Sequence, residues 1–313
     1  MHKLTINRAR IDLAFTPKTP LLVKSGDKGA QLLHPERPDL MCVRTHHGAR
    51  GETVYVPGSS LKGVVRSAAE RVLRSLELPC CDPMNHKSRC HDEASKRGDA
   101  IARGREAAGS HPMGEVHGML CLACRSFGSQ AIASRVSFAD AYPTEQSHAR
   151  ANHTETRNGV SIDRMTGGPA RGKLFELEVV VGGDFATSIH FANFELWQLG
   201  LVGVVLADLD DGFVRLGSAK TRGLGRVSVA LSELVVDQIG AGGGLAGVGT
   251  LRSDLVDSYD LLERDLRGPS GEARVSALGQ RLVWKGNEAC RRALDEVVER
   301  AWPTLLKRRG AAA

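Results

Sequence analysis

Residues 56–76 read VPGSSLKGVVRSAAERVLRSL and predict the best-defined helix of the chain. Apolar side chains recur at helical spacing from Leu61 onward, and basic side chains occupy much of the other face. Two serines that follow Pro57-Gly58 are candidate N-terminal caps, and Pro79 ends the helix. The segment therefore predicts an amphipathic helix that packs one face on a core.

Segments with the alternating pattern of strands lie on both sides of this helix and of a second helical segment. The predicted strands are residues 3–15, 133–139, 173–181, 214–216 and 225–231, and the second helix spans residues 194–206. This strand-helix-strand, strand-helix-strand order predicts an α+β fold with a ferredoxin-like core. One large insertion follows the first helix and a second separates the middle strands.

Composition is that of an ordinary soluble protein, with 313 residues, 42% apolar residues and 25% charged residues. No apolar run approaches the roughly 20 residues of a membrane span, and no signal peptide is visible, so we expect a cytoplasmic protein without a membrane partner. The net charge of +6 permits a polyanionic partner without demanding one. Aromatic residues make up only 4%, which argues against broad base stacking.

Cysteines dominate the polar insertion at residues 80–128. Cys121 and Cys124 form a CxxC pair, a spacing at which two thiolates bind one ion from a tight turn. One of Cys80 and Cys81, with Cys90, would complete a structural zinc site, and we favour Cys81. Three histidines are possible substitutes, namely His86, His91 and His117. The alternative is a set of buried thiols without metal.

The start of the predicted helix is also a candidate anion site. Ser59, Ser60 and Lys62 place hydroxyls and a positive charge beside the amides of a helix N-terminus. Simple helix capping is the alternative. No Walker A motif is present, because Lys62 precedes Gly63 and no Gly-Lys-Ser/Thr follows.

A second candidate anion site is the glycine-rich basic loop at residues 217–226, which reads GSAKTRGLGR. Glycines such as Gly223 and Gly225 let backbone amides approach phosphates, while Lys220 and Arg222 supply charge. An ordinary hairpin turn with a basic face is the alternative.

The C-terminal quarter follows a run of glycines. Residues 240–249 carry six glycines and predict a flexible linker, which we place at residues 240–250. Apolar positions between Leu278 and Val298 then predict one helix, so residues 251–313 are expected to form a helical extension.

Several of these stretches together resemble the RAMP superfamily and, more closely, the backbone subunits of type III CRISPR effector complexes, the Csm and Cmr assemblies. Residues 56–66 resemble the family signature PGSSxKGxxR, and residues 121–128 are similar to its zinc-linked CxxCxxFG segment. Residues 159–166 with 174–176 resemble the arms of its thumb hairpin, and residues 217–227 resemble its glycine-rich loop. The resemblance covers residues 1–232.

The resemblance implies a ferredoxin-like palm, residues 1–239, which carries the zinc insertion and a thumb at residues 142–171. Such subunits stack as a filament along CRISPR RNA. The expected partners are therefore CRISPR RNA, target RNA, other Cas subunits and copies of the chain or close paralogues. The residues expected to contact RNA are Ser59, Ser60, Lys62, Arg66, Arg164, Met165, Lys220, Arg222, Gly223 and Gly225.

The resemblance also implies endoribonuclease activity. In the cleaving subunits an aspartate in the loop after the first strand cuts target RNA, and the matching residue here is Asp27. It would orient or deprotonate a 2′-hydroxyl for in-line attack, with Mg or Mn steadying the phosphorane charge. The products would be a 2′,3′-cyclic phosphate and a 5′-hydroxyl. Asp39 in the same loop is the second candidate.

Two alternatives remain open from the sequence. The first alternative is a non-catalytic backbone or capping subunit of the same machinery, in which Asp27 is inert, although Asp27 itself favours the cleaving subunit. A stand-alone RNA-processing endonuclease of the superfamily would need a histidine base, for which His46-His47 is the candidate pair in the loop.

Overall fold

The computed structural model describes residues 4–24, 38–85, 88–103, 111–240 and 242–309, with the backbone alone for residues 171–173. The strands, in chain order, are β1 (Asn7–Pro17), β2 (Arg44–His47), β3 (Gly51–Val54), β4 (Val136–Phe138), β5 (Tyr142–Pro143), β6 (Thr154–Ile162), β7 (Pro169–Val180), β8 (Phe185–Ala192), β9 (Val227–Ile239), β10 (Glu272–Ser276) and β11 (Gly279–Lys285). The helices are α1 (Gly58–Ser75), α2 (His91–Ala102), α3 (Pro112–Gly118), α4 (Leu122–Phe127), α5 (His148–Asn152), α6 (Leu196–Asp211), α7 (Val248–Leu251), α8 (Val256–Tyr259) and α9 (Asn287–Leu306).

A seven-stranded sheet forms the centre, in the order β10-β11-β9-β1-β8-β4, and β5 pairs with the other part of β8. Every neighbouring pair is antiparallel. The middle strand β1 pairs its Ile11 with Ile189 on one side and with Leu234 on the other. The α+β class that the sequence predicts is confirmed.

The main core lies between this sheet and the helices α1 and α6. Alternate residues of β1 are buried, and its Leu13 and Phe15 line one small apolar space with Leu61 of α1 and Leu206 of α6. The predicted helix at residues 56–76 is α1, and its periodic apolar residues are those that pack on the sheet, as expected for an amphipathic surface helix.

The apolar pattern places the third core strand at residues 173–181, and this assignment is wrong. Those residues belong largely to β7, which pairs with β6 in a separate two-stranded hairpin, while β8 occupies the core position. The strand β8 is weaker as a sequence signal because its buried Phe185, Ile189 and Phe191 are separated by small and polar residues. Residues 214–216 form a buried loop instead of the short strand that the sequence predicts.

The glycine-rich segment is packed rather than loose in its described residues 242–250. Leu245, Ala246 and Val248 are fully buried. The side-chain amide of Asn7 donates a hydrogen bond to the carbonyl of Ala246 at 3.0 Å, which fastens the segment to the start of β1. A glycine-rich segment is flexible only where the side chains between its glycines lack apolar contacts. In this segment those side chains are buried against the core, so the segment is held in place.

The C-terminal extension is not wholly helical. The hairpin β10–β11 extends the main sheet beyond β9, and Leu282, which the sequence assigns to a helix, is buried in β11. The helix α9 then packs on α6, where a Cβ at Gly203 would lie 3.2 Å from Leu294 Cβ. A larger residue at position 203 would require Leu294 to move away, so the glycine lets α9 lie close to α6.

The insertion at residues 80–128 has more core than its polar composition suggests. Val116, Leu120, Leu122 and Phe127 are buried and belong to the main apolar core. The insertion is thus anchored by apolar packing as well as by its cysteines.

Candidate metal centre and nucleic-acid interface

Four sulfur atoms converge in the insertion. The Sγ atoms of Cys81, Cys90, Cys121 and Cys124 all lie within 4.8 Å of one another. The Sγ of Cys81 is 3.6 Å from that of Cys90, 3.6 Å from that of Cys121 and 3.8 Å from that of Cys124. A tetrahedral site with Zn–S bonds of about 2.3 Å requires sulfur atoms about 3.8 Å apart, whereas a disulfide requires about 2.05 Å. The spacing fits a four-sulfur metal site and excludes disulfides among these cysteines.

Short local elements bring these sulfur atoms together. Cys81 follows the turn after α1, and Cys90 precedes α2. Cys121 precedes α4, and Cys124 lies in its first turn. The amide of Cys121 donates to the Sγ of Cys90 at 3.3 Å, so the backbone already solvates one sulfur. The i,i+3 spacing of Cys121 and Cys124 is what turns both sulfur atoms toward the same point.

The electrostatics of the cluster favour a cation. Hydrogen bonds from neighbouring thiols lower the pKa of Cys90 to about 4 and that of Cys121 to about 7. The pKa of Cys124 is raised, because its thiol donates to Cys121 and because burial and nearby thiolates disfavour another negative charge. Negative charge therefore gathers on the cluster, and a bound cation would offset it.

The choice between the adjacent cysteines falls on Cys81. The Sγ of Cys80 points instead to the carbonyl of Cys81 at 3.9 Å. Among the described residues, neither His91 nor His117 joins the sulfur group. His117 Nδ1 lies 2.7 Å from the carbonyl oxygen of Tyr259, and burial, with the charge of Arg125, lowers its pKa to about 3. His86 lies outside the described residues.

The N-terminus of α1 is already capped. The amide of Gly58 donates to Asp140 Oδ1 at 2.7 Å, and the amides of Ser60 and Leu61 donate to the carbonyl of Pro57. A Cβ at Gly58 would lie 2.3 Å from the carbonyl oxygen of Phe138, so only glycine fits there. The sequence predicts that an anion from outside the chain binds this N-terminus. The carboxylate of Asp140 occupies that position instead.

The polar side chains beside this N-terminus remain accessible. Ser59 is exposed, while Ser60 and Lys62 are half-buried. Partial burial and the nearby charge of Arg66 lower the pKa of Lys62. The hydroxyl of Ser59 and the ammonium of Lys62 are therefore the groups left to meet a phosphate.

Arg66 does not face outward with Ser59 and Lys62. Its Nε donates to Glu70 Oε1 at 2.8 Å, and its terminal nitrogens donate to the carbonyl of Gly128 at 3.1 Å and to the Sγ of Cys124 at 3.7 Å. This places the arginine of the RNA-binding signature against the metal centre.

The glycine-rich loop has a fixed backbone. Gly217 and Gly225 have φ values of +74° and +85°, and a Cβ would meet the carbonyl oxygen of Leu22 at 2.3 Å or that of Leu216 at 2.0 Å. The amide of Gly225 donates to the carbonyl of Pro20 at 2.9 Å, so this predicted phosphate donor has an internal partner. These glycines serve close backbone packing.

The basic residues of this loop sit between α1 and the hairpin β6–β7. The guanidinium of Arg222 lies 5.3 Å from the ring centroid of Phe175 in β7. Partial burial and the charge of Arg71 in α1 lower the pKa of Lys220. Arg71 follows Ser59 by twelve residues, about 18 Å along a helix, so the two basic sites lie at separate points along α1 rather than in one pocket.

The predicted thumb, residues 142–171, overlaps the hairpin β6–β7, which begins at Thr154 and ends at Val180, and the tip of this hairpin is highly exposed. Asp163 Oδ1 accepts hydrogen bonds from the amides of Met165 at 2.8 Å and Thr166 at 3.1 Å, which shape the turn and lower the pKa of Asp163. Arg164 is exposed and Met165 is 96% exposed. Exposed apolar side chains flank the tip at Val160, Ile162 and Leu174. Val160 and Leu174 lie in the segments that resemble the thumb arms, but they are not among the residues expected to contact RNA, although apolar residues in a polar hairpin are the signal that would reveal them.

The candidate catalytic loop is only partly described. Asp27 lies outside the described residues. Asp39, the second candidate, accepts a hydrogen bond from the amide of Glu176 at 2.8 Å, which ties it to β7. The ring of His47 packs edge-on against Tyr142 at 4.8 Å.

Comparison with known proteins gives the family. The sequence model of the RAMP superfamily matches residues 14–228, more than half of the chain, and the chain belongs to this superfamily. A search of curated proteins found no match. Family membership supports a CRISPR-associated, RNA-binding role within a multisubunit complex. Among the described residues, no helix has both the length and the apolar character needed to cross a membrane.

Proposed function

We propose that the chain is a guide-RNA-binding backbone subunit of a type III CRISPR effector complex. The observation that carries this proposal is the superfamily match over residues 14–228, the part that contains α1, β4, β8, the thumb and the glycine-rich loop. The strand order β9-β1-β8-β4, with α1 before β4 and α6 before β9, is the order of a ferredoxin-like palm, which supports the proposal.

The guide would be held by its phosphates. Lys62 and Ser59 lie near the start of α1, and Lys220 with Arg222 lies beside its later turns, so positive charge and a hydroxyl are offered at two separate points along the helix. Contacts of this kind position an RNA backbone without reading its bases, as a subunit that serves many guides requires. The exposed tip of the thumb, with Arg164 and Met165, would reach the guide–target duplex and wedge between bases.

The four-cysteine site is proposed to hold a structural zinc ion. All four ligands are protein sulfur atoms, which leaves no open coordination position for a substrate. When bound, the ion would neutralise the thiolates and fix the ends of α1, α2 and α4. It would take no part in the cleavage chemistry.

Cleavage of target RNA is the second part of the proposal. The loop that contains Asp27 is rooted at the base of the thumb, because Leu21 bridges to Val180 on one side and Leu40 to Leu177 on the other. If the thumb displaces a nucleotide of the target, the neighbouring phosphodiester would lie near the foot of the thumb hairpin, beside the loop that contains Asp27. Asp27 would orient or deprotonate the 2′-hydroxyl that attacks the adjacent phosphorus and displaces the 5′-oxygen, and bound Mg or Mn would supply Lewis-acid charge.

A non-catalytic subunit of the same complex is the competing candidate. Asp39, the second candidate for catalysis, accepts a hydrogen bond from the Glu176 amide, so a structural role is enough to explain this carboxylate, as a non-catalytic subunit requires. Reconstitution of the complex with a labelled target RNA separates the two roles. Regularly spaced cuts that require a divalent ion and Asp27 support the nuclease, and guide-dependent binding without cuts supports the non-catalytic subunit.

A further inference from the structure

One face of α1 carries three charged residues at four-residue spacing: Arg66, Glu70 and Arg74. Glu70 is only 8% exposed, and its two carboxylate oxygens are shared between the arginines. Oε1 accepts from Arg66 Nε at 2.8 Å, and Oε2 accepts from an Arg74 terminal nitrogen at 3.3 Å. A buried carboxylate that lies between two arginines holds their planar guanidinium groups in one orientation.

That orientation aims both arginines at the cysteine insertion. Arg66 donates to the Cys124 sulfur at 3.7 Å and to the carbonyl of Gly128 at 3.1 Å. Arg74 donates to the carbonyl of Cys81 at 2.9 Å. Two of the four metal-ligating positions are therefore contacted from the same helix, one through its sulfur and one through its backbone.

The chemistry of a tetrathiolate site explains why cations would be placed there. A zinc ion with four thiolates carries a net charge of about −2, which a half-buried site must compensate. A guanidinium that donates to a ligand sulfur offsets part of that charge and fixes the ligand's direction. Removing a partner of this kind typically weakens metal affinity by about 10- to 100-fold.

We propose that Arg66, Glu70 and Arg74 form the outer coordination shell of the four-cysteine site, so that metal binding and the position of α1 are linked. Arg66 is then a positioning residue for the metal and not the phosphate contact that its motif suggests. Because Ser59 and Lys62 lie on the same helix, loading the metal also sets the geometry of the RNA-binding end of α1. This inference rests on the proposed zinc site.

Zinc affinity of the full chain, measured by competition with a chromophoric chelator in the absence of RNA, tests the proposal. Arg66→Ala should bind zinc 10- to 100-fold more weakly, roughly the loss expected for an outer-shell partner. Arg66→Lys should fall between, because it keeps the charge but loses the fork that reaches two acceptors. Arg292→Ala is the matched control, since Arg292 forms an exposed i,i+4 pair with Glu288 on α9.

A second variant guards against a misfolded Arg66→Ala protein. Glu70→Gln keeps the shape of the side chain but removes its charge and one of the two oxygens that the guanidinium groups share, so it should weaken zinc binding in the same direction. Zinc affinities of Arg66→Ala and Glu70→Gln within twofold of the wild type overturn the outer-shell role. A wild-type chain that binds no zinc overturns the zinc assignment itself, which is a different result.

The salt dependence of RNA binding gives an independent readout. With zinc saturating, Arg66→Ala should keep the wild-type slope of log affinity against log salt, since no phosphate contact is lost. A slope reduced by about one unit, together with wild-type zinc affinity, assigns Arg66 to a phosphate and overturns the proposal.

Discussion

The cysteine insertion and the thumb hairpin both depart from the same core, but they treat their apolar side chains in opposite ways. The insertion buries Val116, Leu122 and Phe127 and gathers four sulfur atoms in its interior. The thumb leaves Met165 and its apolar neighbours in solvent. Burial of apolar groups stabilises a fold, whereas their exposure on a hairpin stabilises nothing until a ligand covers them. The comparison agrees with the proposed roles, in which the insertion is structural and the thumb binds RNA.

Removing one sulfur should have the largest effect. Cys124→Ser should lose most of the bound zinc and destabilise the insertion by several kcal/mol, because a structural zinc supplies roughly 10–16 kcal/mol of local folding free energy. Elemental analysis measures the zinc, and limited proteolysis within residues 80–128 reports the unfolding. Cys80→Ser is the matched control and should keep one zinc per chain. Equal zinc loss in both variants would show that the ligand set is wrong.

Asp27→Ala should have the next largest effect, on cleavage alone. The loss of the group that organises the 2′-hydroxyl should slow target cutting by about 10²- to 10⁴-fold, while guide and target binding stay intact. Time courses on gels with Mg²⁺ measure the rate. Asp39→Asn retains an oxygen for the Glu176 amide and should cut normally. Wild-type cutting by Asp27→Ala would move catalysis to another residue or subunit.

Changing the thumb tip should affect RNA and leave folding untouched. Met165 is 96% exposed, so Met165→Ala should change stability by no more than about 0.5 kcal/mol. Loss of an apolar wedge should nevertheless weaken duplex binding by about fivefold, the equivalent of roughly 1 kcal/mol of buried apolar contact. Val275→Ala, at an apolar site that is 93% exposed on β10, is the control and should bind normally. Equal binding by both variants would remove the wedge role.

Single changes in the basic residues should have the smallest effect at any one salt concentration. Lys62→Ala and Arg222→Ala should each flatten the slope of log affinity against log salt by up to about one unit, equally for unrelated guides. Arg103→Ala, on a side chain that is 60% exposed after α2, is a charge-matched control. A loss that depends on guide sequence would contradict phosphate contacts, because bases and not phosphates would then be read.

Local patterns predict the parts of the molecule that local forces decide. The helix α1 follows from its apolar period and the turn before it, and the clustering of Cys90, Cys121 and Cys124 follows from cysteine content and CxxC spacing. The preference for Cys81 over Cys80 is confirmed, and it rests on the turn that Asp82-Pro83 supplies behind Cys81.

Long-range contacts decide the parts that sequence patterns miss. The strand β8 gains its place by pairing with β1, and residues 242–250 are held by contacts with β1 and with the C-terminal segment. Arg66 is the instructive case in the candidate site. Its motif predicts contact with RNA. Glu70 and Arg74 follow it at intervals of four residues, however, and this spacing predicts a row of salt bridges along the helix.

The central claim is that this chain binds guide RNA within a CRISPR complex, and the most direct measurement is to purify the chain from its native cells and sequence the RNA bound to it. We expect small RNAs of uniform length whose ends derive from one repeated sequence, with differing sequences between. Absence of RNA, or fragments of abundant cellular transcripts without a shared end, would contradict the account.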